Sequence, residues 1–151
     1  RYRDIIGFKN SGAAEIYDFV DAGLPSTVVP EAEFRAAVRP LLRLIGSREP
    51  RFVLCEAGAS PLEPYNGAAA IDELGDNIVC TLLAASDPYA VVGVMDAFQL
   101  KPDLVTGPAT NTSAAIRLVD KLTGIPAMNI VDPATEPEFR DFLFDKLGVL
   151  H

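Results

Sequence analysis

The chain has 151 residues, 49 % of them hydrophobic, and a formal net charge of −8 at pH 7. That length and apolar share suit one globular domain with a sizeable core and exclude an intrinsically disordered chain. The acidic balance argues against partners that are gripped electrostatically, nucleic acid and anionic membranes, and no run of about 18 apolar residues offers a membrane-spanning helix.

Residues 1–14 mix charges, Gly7, Gly12 and aromatics without a clean period, and they read as loop with a short element around residues 4–8. Residues 15–21 (EIYDFVD) alternate imperfectly before Ala22-Gly23 and read as a strand with Asp21 at its carboxyl end. Pro30, with Glu31 and Glu33 behind it, opens a helix whose apolar face is Phe34, Val38, Leu41, Leu42 and Ile45. Pro40 is expected to kink or shorten that helix, and Gly46 to end it.

Residues 52–55 (FVLC) form a short, unbroken apolar run, the pattern of a strand covered on both faces. A short helix over residues 68–74 precedes Gly75, and residues 77–85 (NIVCTLLAA) make a second buried strand. Ser86 or Asp87 caps a helix over residues 89–100, residues 103–106 give a further strand, and Asn111 or Thr112 caps a helix over residues 113–123 that stops at Gly124. Residues 126–131 complete the strands. Thr135 with Glu138 spells a capping box for a last helix bearing Phe139, Phe142, Leu143 and Leu147, which Gly148 ends. Strand, polar turn and capped helix thus recur from residue 77 onward, a rhythm that predicts an α/β fold: a doubly wound, mainly parallel sheet of about five strands with helices on both faces.

In such a sheet the carboxyl edge collects Asp21, Glu56, Asp87, Thr106, Thr110, Asn111 and Asp132, an oxygen-rich rim suited to magnesium and a substrate phosphate. Glu56, at the end of the FVLC run and followed by Ala57-Gly58-Ala59, is the leading carboxylate, and Asp21 is the second. Gly58 and Asn66, in the loop behind Glu56, are candidates for cofactor contact. Asp87, Asp132, Asn111 and Thr112 also read as plain helix caps. The one histidine, His151, is terminal and reads as tail, so no Ser/His/Asp or Cys/His set is present. Neither G-x-x-x-x-G-K-[ST] nor G-x-G-x-x-G occurs. Cys55 and Cys80 lie inside apolar runs and read as buried, reduced thiols, which with the absence of a signal peptide in RYRDIIGFKN favours a cytoplasmic setting.

The motif FVLCEAGAS and the two strand–helix units after it resemble the later half of a P-loop NTPase domain. The branch is that of dethiobiotin synthetase and the MinD/ParA-type ATPases, and within it an uncharacterised family in which such a domain follows a Rossmann-like one. The resemblance implies that Glu56 helps to hold the magnesium of a bound ATP, with Asp21, or failing that Asp18, as the earlier acidic strand end. It places Thr106 and Asn111 beside the base. It also implies that the phosphate loop lies before Arg1, in a longer polypeptide. The expected function is therefore binding of a magnesium nucleotide for ATPase, kinase-like or ligase chemistry, inactive without that loop. The alternative is a non-catalytic α/β module that binds a small anionic ligand or mediates subunit assembly, with a homo-oligomer as one way to cover the missing strand.

Overall fold

The computed structural model describes residues 2–58 and 64–149. Ala59 and His151, singled out above, lie outside the described residues. Contacts group the chain into two compact units, Arg1–Leu74 and Gly75–His151.

Among the described residues the first unit holds three helices, α1 (Tyr2–Asn10), α2 (Glu31–Ser47) and α3 (Gly67–Leu74). Where the sequence suggests a mostly irregular start, α1 forms. Pro30 stands just before α2, so its missing N–H falls where no intrahelical partner exists, and the helix then runs through both Pro40 and Gly46. Its apolar face supplies Phe34, which is buried with Leu24 and with Ala69 of α3, while Phe19, Val29, Ala37, Val38 and Ala70 pack around them. Helices α2 and α3 pack on each other, and small Ala69 and Ala70 permit the close approach. A charged seam closes the same contact. Arg35 of α2 reaches Glu73 (2.8 Å) and Asp72 (2.9 Å) of α3 and Glu31 (2.7 Å) one turn back, and Arg39 joins Glu73 (2.8 Å).

The second unit is built as strand β1 (Leu82–Ala84), helix α4 (Pro88–Phe98), strand β2 (Leu104–Thr106), helix α5 (Ser113–Thr123) and helix α6 (Glu136–Leu147). The strands pair in parallel with Leu82 opposite Leu104, Leu83 opposite Val105 and Ala84 opposite Thr106. On the far side of β2 a single parallel bridge joins Val105 to Ala127. The order thus advances in one direction, and right-handed crossovers that all step the same way place their helices on the same face. That face is the core. Val105 points into it from β2, Val91 from α4 and Val119 from α5, all without solvent exposure, beside Ala85, Ala109 and Ile125.

Local signals set the helix ends. The Asp87 carboxylate accepts from the amides of Tyr89 (2.9 Å) and Ala90 (3.0 Å), with Pro88 in the first turn. The Thr112 hydroxyl accepts from Ala115 (3.1 Å), and Gly124 ends α5 at φ +67. Thr135, by contrast, makes no capping box: its hydroxyl donates to the carbonyl oxygens of Asn129 (2.7 Å) and Asp132 (2.9 Å) instead.

The doubly wound five-stranded sheet is corrected. Among the described residues helices predominate, and only β1 and β2 form a sheet. The reversal of strand order that puts helices on both faces does not occur in it. Residues 15–18 join no ladder and 19–23 turn, where the Asp18 and Asp21 carboxylates take the amides of Val20 (2.7 Å) and Asp18 (2.8 Å) that a ladder would use. Residues 52–55 belong to neither helix nor ladder. The 77–85 run shortens to three strand residues, and residues 126–131 contribute one bridge.

Candidate functional site

The residues expected at one carboxyl edge fall in both units, and each is described within its own. In the first unit, the Asp21 carboxylate closes the turn on Asp18. Glu56 stands exposed in the irregular stretch after Cys55, and a Cβ built on Gly58 would meet nothing within 4 Å, so no close approach requires glycine there. Asn66 has φ +59, and its side-chain amide donates to the backbone carbonyls of Thr27 (2.7 Å) and Val29 (2.9 Å). Asparagine is among the few residues that tolerate this backbone region, and here its side chain ties two loops together.

In the second unit Thr106 is buried in β2, and its carbonyl accepts from Ala85 (3.1 Å). Asn111 sits exposed at the end of a 3-10 turn, Pro108–Thr110, and leaves the capping of α5 to its neighbour Thr112. Among the described residues no three histidine, cysteine or acidic side chains converge where they could hold a metal ion.

The sequence reading missed the residues that fix the end of β2. Gly107 has φ +81 and ψ −165, and a Cβ there would stand 3.0 Å from the Ala85 carbonyl oxygen. Only glycine fits so close a crossing of backbones at that angle. Thr110, without solvent exposure, donates its hydroxyl to the carbonyls of Gly107 (2.8 Å) and Met128 (3.1 Å). At the other end, Asp103 accepts from the Thr81 amide (2.8 Å) and from Lys146 of α6 (2.6 Å). Burial opposes ionisation of Asp103, yet Lys146 and the Thr81 amide bring its carboxyl below the usual range. Burial, aided by Asp103, pushes the nearby Cys80 thiol up, away from a reactive thiolate. The Asp87 carboxyl is likewise low, first through the Ala90 amide and then through Ser86.

What the second unit leaves open is the outer edge of its sheet. Thr81 accepts from the Asp103 amide (2.8 Å) and Ala85 donates to Thr106 (3.1 Å), so the odd-numbered residues of this run turn their backbone groups toward β2. In a parallel ladder the residues between them aim N–H and C=O the other way. Leu82 and Ala84 do so, and among the described residues no strand pairs with that side. Leu82 of β1 is exposed, and so are Ile78 and Val79 in the irregular stretch before it, Val79 by 63 %. Residues 77–86 carry no charge, with Asp76 and Asp87 as the first on either side. Natural edges are blunted by shortness, lysine, proline or a bulge; this one is three residues long and carries neither lysine nor proline. The first unit shows a parallel feature. Residues 51–58 are exposed in succession, with Phe52, Val53 and Leu54 among them, Leu54 by 75 %.

Comparison of the chain with protein-family models, with curated proteins and with solved structures finds no match in any of the three. Among the described residues no helix is long and apolar enough to cross a membrane.

Proposed function

We propose that the chain is a non-catalytic α/β assembly module that extends its small sheet by accepting a strand at the outer edge of β1. The observation that carries this reading is the unpaired backbone of Leu82 and Ala84 along an exposed, uncharged apolar run. Main-chain hydrogen bonds at such an edge supply affinity, and the side chains that alternate along it supply selectivity. Sedimentation of the chain against Leu82→Pro tests it. Proline at 82 removes an N–H that faces outward and leaves the bonds of Leu83 to β2 in place. The native chain should associate and the variant should not. A native chain that stays monomeric, or a variant that associates equally well, defeats the proposal. A reducing compartment, the cytoplasm, suits the exposed free thiol of Cys55.

A second reading, binding of a magnesium nucleotide as in the P-loop branch, draws support from the parallel β1–α4–β2–α5 order, whose strand ends carry Ser86, Asp87, Thr106 and Asn111. Calorimetric titration of magnesium-ATP tests it: heat that Asn111→Ala abolishes supports this reading, and absence of binding removes it.

A further inference from the structure

Asn66 precedes Gly67, and no other asparagine of the chain is followed by glycine. In an Asn-Gly pair the glycine nitrogen can close on the side-chain carbonyl carbon of the asparagine, because no Cβ shields it and its backbone bends freely. Here the bond between Gly67 N and Asn66 Cγ would form, the Cγ–Nδ2 bond would break, and ammonia would leave with the proton of the Gly67 amide. Water then opens the cyclic imide. Attack at Cγ yields aspartate, and attack at the former peptide carbonyl yields isoaspartate, whose backbone runs through Cβ and Cγ. The step needs no oxidant, metal or second protein.

The fold holds this pair back from reaction. The Nδ2 hydrogens go to the carbonyls of Thr27 (2.7 Å) and Val29 (2.9 Å), which pins the group that must leave. The Asn66 carbonyl accepts from the Ala70 amide (2.9 Å), which fixes the peptide plane carrying the Gly67 nitrogen at the start of α3. Ring closure requires the side chain to swing away from both carbonyls, so it waits on local opening of the contact between residues 27–29 and residue 66. Val29 also packs against the Leu24, Phe34 and Ala69 cluster, so that opening loosens the core of the first unit.

The products cannot restore the tie. Ionised aspartate at 66 has only acceptors to offer two carbonyl oxygens, and isoaspartate inserts a carbon into the chain where Ala70 bonds back to residue 66. We propose that Asn66-Gly67 is a self-modification site: cyclisation and hydrolysis, gated by the bonds to Thr27 and Val29, convert Asn66 irreversibly and leave the first unit without that tie. The site lies wholly within the first unit and is independent of the assembly reading.

Peptide mapping by mass spectrometry tests it, on the full chain held at mildly alkaline pH through a series of urea concentrations, with aspartate and isoaspartate at residue 66 as the readout. Conversion should be about tenfold or more slower in the folded chain than in the unfolded one, and should quicken along the unfolding curve. Isoaspartate arises through the imide, so Gly67→Ala should suppress it in urea, where no fold intervenes. Converted chain returned to native buffer should lose hydrogen-exchange protection at the Ala70 amide relative to unconverted chain carried through the same steps. Equal rates in folded and unfolded chain would show that the tie gates nothing and overturn the proposal. Absence of isoaspartate at 66 in urea overturns the reaction itself, and unchanged protection of Ala70 after conversion overturns the lasting loss.

Discussion

Replacing Asn66 should destabilise the first unit in a way that a ligand-binding residue would not. Its amide makes two bonds, to the carbonyls of Thr27 (2.7 Å) and Val29 (2.9 Å), from a half-buried position. Asn66→Ala removes the donor for both carbonyls at about 1 kcal/mol each, because water still reaches part of the site. It also places an ordinary Cβ at φ +59, which costs about 1 kcal/mol more. The sum is about 3 kcal/mol. Asn66→Gly loses the same bonds without the backbone penalty and should cost about 2 kcal/mol, so the difference between the two variants isolates the strain. Asn66→Asp keeps the shape but turns a carboxylate toward two carbonyl oxygens. It should be the worst of the three at pH 7 and recover as the pH falls and the acid protonates. Urea denaturation followed by circular dichroism reads all three at a common slope. If Asn66→Ala and Asn66→Gly both stay within about 0.5 kcal/mol of the native chain, the tie between the loops contributes nothing and the reasoning is wrong.

Gly107→Ala should cost about 3 kcal/mol or more in thermal or urea unfolding of the second unit, since the new methyl meets the Ala85 backbone at 3.0 Å in a conformation reserved for glycine. Thr110→Val should cost about 1 to 2 kcal/mol by the same assay while Thr110→Ser holds, because the hydroxyl and not the methyl bonds the Gly107 and Met128 carbonyls. The Glu73 carboxyl is pulled down to about 2 from 4.5, first by Arg39 and then by Arg35. Its folded value therefore lies below the unfolded one, and the stability it supplies is present above pH 4.5 and lost as the pH falls toward 2. Glu73→Gln should flatten the pH dependence of stability in that window, and an unchanged slope would contradict the ion-pair seam. Thr112→Ala should lower stability by about 1 kcal/mol through loss of the α5 cap, with Asn111→Ala near neutral.

Helices were the legible part of this chain because their signals are local. Asp87 with Pro88 starts α4, and Thr112 and Gly124 bracket α5, each within a turn of the residue it controls. Strands were legible only in part, at residues 104–106 and within the 77–85 run, since a ladder needs a neighbour that no local window contains. The apolar runs 52–55 and 77–85 look alike in sequence, yet only residues 82–84 become a strand, where β2 lies alongside. Thr135 misleads for a related reason: the spacing to Glu138 fits a capping box, but carbonyls at Asn129 and Asp132 compete for its hydroxyl. Asp21 and Asn66 were chosen as oxygen and amide donors to a ligand, and the same chemistry serves the backbone around them. The Arg35 and Asp103 clusters went unread because their partners lie 38 and 43 residues away.

Amide hydrogen exchange at Leu82 and Ala84, followed across protein concentration, tests the assembly claim most directly. Their N–H groups face away from β2, so in dilute solution they should exchange as exposed amides while Leu83 stays protected. Protection of both should then rise together with association as concentration increases. Exchange at Leu82 and Ala84 that stays fast at concentrations where the chain associates would place the contact elsewhere and contradict the account.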